Sequence, residues 1–109
     1  MELVHKNLAG KRWRELTLCE QLANIGSEVS RARNWQNRDK EIFDNAINRA
    51  LELFELTLTD PRWRGRFKEI ARAREVFLDS VSGGREYKSS LADLDRYFLS
   101  YAYCARLNA

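Results

Sequence analysis

Histidine, proline and glycine are scarce in this 109-residue chain, and each scarcity excludes something. The single histidine, His5, stands near the N-terminus, ahead of every expected helix. It leaves no His-Glu-x-x-His pair, no Glu-x-x-His pair for a di-metal bundle, and no imidazole to activate a serine or cysteine. One proline and five glycines rule out collagen-like and low-complexity sequence. No apolar run approaches the roughly 18 residues that a membrane span requires. The opening MELVHKNLAGKRWREL has neither the apolar core nor the small-residue cleavage site of a secretion signal, so the expected address is cytoplasmic and no membrane partner is inferred. Cys19 and Cys104 are the only cysteines. They are too few for a disulfide scaffold and lack CxxC spacing, so two reduced structural thiols are expected.

What is present is a helical period. Apolar residues make up 44% of the chain and charged residues 32%, enough of each for amphipathic elements around one core, and the length suits a single domain over residues 1–109. Leu18, Leu22, Ile25, Val29 and Ala32 follow at spacings of 4, 3, 4 and 3, one stripe of a helix. Thr17 and Glu20 before it form a capping-box pattern, giving helix 1 over about 18–36, with an alternative start near Lys11. Trp13 and Leu16 are expected to fold over the bundle end. Phe43, Ala46, Ala50, Phe54 and Leu58 mark helix 2 over about 39–58. Asp60 as cap and Pro61 at the first position predict helix 3 from 61, with Trp63, Phe67, Ile70, Phe77 and Val81 inward. Gly83 and Gly84 end it near 82. Ser90 and Asp93 predict the cap of helix 4 over about 91–107, its inner stripe running Leu91, Leu94, Phe98, Tyr101 and Ala105.

Short links force each helix to reverse direction, so the fold class is all-α, an up-down-up-down four-helix bundle. A three-helix core with a loose fourth helix, or a helical hairpin completed by dimerisation, are the alternatives. This topology also places Cys19 and Cys104 at the same end.

The runs WRELTLCEQLANIGSEV, NRALELFELTLTDP and RFKEIARAREVFLD cover most of helices 1 to 3. In them the chain resembles short, uncharacterised prokaryotic all-helical proteins, a resemblance that implies no activity. It does not match the small four-helix proteins linked to ribosomal RNA insertions, whose NIAEG-type run is missing. Nor does it match the HEPN ribonucleases, whose Arg-x4-6-His motif needs a downstream histidine.

The charge is uneven. Residues 61–74 hold Arg62, Arg64, Arg66, Lys68, Arg72 and Arg74 against Glu69, a net of +5, while the flanking parts each sum to −1. Arg64, Lys68 and Arg72 share an outward stripe; Arg62 and Arg66 lie about half a turn away. Glu52 and Glu55, at the end of helix 2, are expected to offset those two, which oppose the helix dipole. Arg74 falls on the apolar stripe, where an unpaired guanidinium costs on the order of several kcal/mol. It is therefore expected to form a buried polar pair with Glu28, Asp95 or a tyrosine of helix 4, or to snorkel to water. Trp63 reads as core rather than as a base-stacking platform.

Leu99 and Tyr103 project away from the helix 4 core stripe, and Leu56 faces away from its own stripe on helix 2. Together they suggest a self-association surface. The expected function is a non-enzymatic structural or interaction bundle that forms a homodimer, with no catalytic, cofactor-binding or metal residue and no small-molecule substrate. The alternative is weak binding of nucleic acid or another polyanion through Arg62, Arg64, Arg66, Lys68 and Arg72.

Overall fold

Thr17 opens the first helix as its spacing from Glu20 requires: its Oγ1 accepts the Glu20 backbone N–H at 3.2 Å, and Glu20 Oε1 accepts the Thr17 N–H at 2.8 Å. The computed structural model describes residues 12–107; His5 and the alternative start near Lys11 lie outside them. Helix α1 spans Leu18–Trp35. Asp39 then caps α2, Lys40–Leu58, by accepting the Ile42 N–H at 3.1 Å. A reciprocal Ser90–Asp93 pair caps α4, Leu91–Leu107. Gly83 and Gly84, both at positive φ, follow the end of the third helix. The four helices pack as the expected all-α four-helix bundle, with no strand among the described residues. None of the described helices is long and apolar enough to cross a membrane.

The third helix departs from expectation. Asp60 does cap the backbone N–H of Arg62, and Pro61 takes the first position, but Pro61–Arg66 is a 3₁₀ turn with Trp63 outside helical geometry. The α-helix α3 is Phe67–Val81. A 3₁₀ turn advances about 120° per residue against 100° in an α-helix, so six residues shift the phase by about 120°. Trp63 therefore no longer predicts which way Phe67 faces. The buried residues of α3 are Ile70, Ala73, Phe77 and Ser80. Small Ala73 and Ser80 hold the inner face, which rotates it about 80–100° away from Phe67 and Arg74. Phe67, expected inside, is 49% exposed.

The core centres on Phe54 of α2, whose ring lies 6.0 Å from that of Phe77 and 6.1 Å from that of Phe98. Helix α1 packs extensively along both α2 and α4, while α3 touches α4 at few points. The α1–α4 approach depends on Gly26: a Cβ there would stand 2.6 Å from Phe98 Cβ. The same pair of helices is joined at one end by a Cys19–Cys104 disulfide, Cα–Cα 5.9 Å. The sequence placed these cysteines at one end correctly; the expectation of free thiols is overturned. Two cysteines 85 residues apart carry no pairing signal until an antiparallel bundle brings the start of α1 beside the end of α4.

Candidate functional site

The end of the bundle that holds the disulfide also holds a polar network that periodicity does not reveal. Asp60, 2% exposed, receives the Arg62 side chain through Nε at 3.1 Å and Nη2 at 2.7 Å. Gln21, fully buried on α1, donates through Nε2 to the Trp13 carbonyl at 2.8 Å and to Asp60 Oδ2 at 3.2 Å. Its Oε1 accepts Trp63 Nε1–H at 2.9 Å. Trp13 in turn donates its indole N–H to Thr57 Oγ1 at 2.9 Å. The network ties the segment before α1 and the 3₁₀ turn to the ends of α1 and α2, and Trp13 and Leu16 cover the core here as expected. The hydrogen bonds from Arg62 outweigh burial and hold the Asp60 carboxyl down at about 2. Among the described residues no buried side-chain N or O lacks a partner. One sequence signal for this knot was present, a glutamine next to Leu22 at the inner edge of the α1 stripe.

The basic stretch is divided rather than continuous. Arg62 is spent on Asp60, donates to the Leu16 carbonyl at 2.9 Å, and lies 4.4 Å from the Trp63 ring centre. Arg66 pairs with Glu69 at 2.9 Å. Of the two acids expected to offset them, Glu52 pairs with Arg49 instead. Arg72 lies 5.3 Å from the Tyr87 ring centre. Arg64 and Lys68 are exposed and make no side-chain hydrogen bond or ion pair with described residues. With Leu58, Pro61 and the exposed Phe67, they line a cavity of about 420 Å³.

Arg74 does not form the expected buried pair. It is half-buried and makes no hydrogen bond or ion pair with described residues. Its position at the edge of the α3 inner face lets the aliphatic stem cover apolar surface while the head reaches water. Of its expected partners, Asp95 instead accepts Arg33 at 2.9 Å and bonds the Ser30 hydroxyl, and Glu28 pairs with Arg31. The helix 4 tyrosines turn to Glu69: Tyr101 donates to Oε1 at 2.9 Å and Tyr97 at 3.3 Å. Arg66 and Tyr101 lower the Glu69 carboxyl below its ordinary range. Burial, with Tyr101 and Glu69 alongside, raises the Tyr97 phenol above its own. Beside this cluster the loose α3–α4 seam leaves an open groove of about 350 Å³, floored by Ala73, Val76 and Leu94.

On α4, Leu99 and Tyr103 are 63% and 61% exposed, and Leu107 extends the same face at 68%. Leu56 does not join them. It is buried, in the apolar cluster that Trp13 also enters. A stripe read along one helix cannot register chain folding back over that helix's end. No protein-family model, curated protein or solved structure matches the chain. The functional reading therefore rests on the surfaces themselves. Asp60 and Glu69 are already engaged by arginines, and no three His, Cys, Asp or Glu among the described residues are grouped to hold a metal.

Proposed function

We propose that this protein is a non-enzymatic bundle that self-associates as a two-fold dimer through α4. The observation that carries this is the run of Leu99, Tyr103 and Leu107, spaced by four residues and each more than 60% exposed. Residues four apart lie on one face, and three large apolar side chains there favour a partner that covers them. A second copy fits by shape. Beside Leu99, between α1 and α4, lies a recess of about 100 Å³ lined by Ala23, Gly26, Ser27 and Ala102. In an antiparallel two-fold pairing centred near Tyr101, Tyr103 of each copy meets Leu99 of the other and can enter that recess.

The interior polar network supports a structural role, since Gln21 and Asp60 spend their hydrogen-bonding capacity on the fold. The disulfide favours an oxidising compartment over the reducing cytoplasm expected from the sequence.

Light scattering at high micromolar concentration tests the dimer. The unmodified chain should show twice the 12.8 kDa monomer mass. Leu99→Glu with Tyr103→Glu should return it to monomer, since complete burial of such side chains is worth about 1.5–3 kcal/mol each and like charges would face across the axis. Arg64→Glu with Lys68→Glu should leave the mass unchanged. A monomeric unmodified protein overturns the proposal.

A further inference from the structure

Phe67 is an exposed aromatic beside two exposed cations, Arg64 and Lys68, that pair with no carboxylate among the described residues. It begins α3 with its ring half in water, and Arg64 and Lys68 stand three residues before it and one after. All three line the same cavity of about 420 Å³, with Leu58 and Pro61 as apolar floor. Asp60 also lines this cavity, but it is buried and its carboxylate is occupied by Arg62 and Gln21. We infer that this cavity binds single-stranded nucleic acid, with one base stacked on Phe67 and the adjoining phosphates held by Arg64 and Lys68.

The chemistry selects the occupant. A planar ring and a phosphate a few ångströms apart match an aromatic face flanked by cations, and stacking of this kind is sequence-tolerant. The base must be splayed out to reach the ring, which a single strand allows and a stacked duplex resists. An acidic protein would use the two cations and leave the aromatic cavity idle. Trp63 is not the platform: Arg62 covers its ring and its N–H is held by Gln21. The site lies on the 3₁₀ turn and the start of α3, and does not use Leu99, Tyr103 or Leu107.

Fluorescence anisotropy of the full chain with a labelled 15-nucleotide oligo(dT), beside a hairpin duplex and poly-glutamate, tests the inference. The single strand should bind most tightly, and its affinity should fall with salt at a log–log slope of about −1.4, the value for two phosphate contacts on a single strand. Phe67→Ala should weaken binding roughly tenfold to a hundredfold, and Phe67→Trp should retain it. Arg64→Gln with Lys68→Gln should flatten the salt slope. Circular dichroism melts confirm that these surface variants remain folded. Absence of binding at low salt, equal affinity for the duplex or poly-glutamate, or Phe67→Ala binding as well as the unmodified chain would each overturn it. The Leu99→Glu, Tyr103→Glu variant should keep the single-strand contact, which separates this site from the α4 proposal.

Discussion

Asp60 ionises at about 2 because Arg62 donates to both its oxygens from side chain and backbone and Gln21 adds a further bond, enough to outweigh burial. An unfolded aspartate titrates near 3.9, so the folded state is favoured by ionisation. The sign follows: this stabilisation is fully present above about pH 4 and is lost as pH falls toward 2, a difference of about 2 kcal/mol. Urea unfolding midpoints measured from pH 7 to pH 2 should show that loss. Asp60→Asn should lower stability by a similar amount at neutral pH and remove this part of the acid dependence. Gly26 gives a second residue-level test. Alanine in a helix gains about 1 kcal/mol over glycine, but a Cβ 2.6 Å from Phe98 Cβ has no flexible neighbour to push aside, and overpacking costs about 1–3 kcal/mol. Gly26→Ala is expected to lose stability by roughly 1 kcal/mol net, read from the denaturant midpoint.

At the scale of elements, α3 and α4 show how an inner face is chosen. Large apolar residues pointed to Phe67 as part of the α3 stripe, whereas packing selected the side where Ala73 and Ser80 allow close approach and left Val81 partly buried against the core. Arg74 moved to the edge with Phe67, which is why its expected pair did not form. The end of α4 is held to the start of α1 by the disulfide, and closing an 85-residue separation is worth on the order of 4 kcal/mol in the chain-entropy account. Thiol titration of the denatured, unreduced protein should find no free thiol. Cys19→Ser with Cys104→Ser should shift the urea midpoint down by that order, with hydrogen exchange rising first at the α4 C-terminus.

At the scale of the whole molecule, association through α4 would link folding to concentration. If burial of Leu99, Tyr103 and Leu107 stabilises a dimer, the melting midpoint should rise with protein concentration, and the Leu99→Glu, Tyr103→Glu variant should lose that dependence. The exposure of Leu99 and Tyr103 was legible because the period of α4 turns both away from its core stripe, and, unlike Leu56, neither is covered by another element. Helix content, the caps at Thr17, Asp60 and Ser90, the glycine stop and the up-down-up-down order were legible because each depends on residues within a few positions of one another, or on link length. The tertiary structure decided what depends on which elements meet. It buried Leu56 under a bundle end, converted two distant cysteines into a bridge, gathered Gln21, Asp60, Arg62 and Trp63 into one network, and turned Phe67 out beside Arg64 and Lys68. Local periodicity gives the direction of a side chain relative to its own axis; what waits in that direction is fixed only when the other helices are in place.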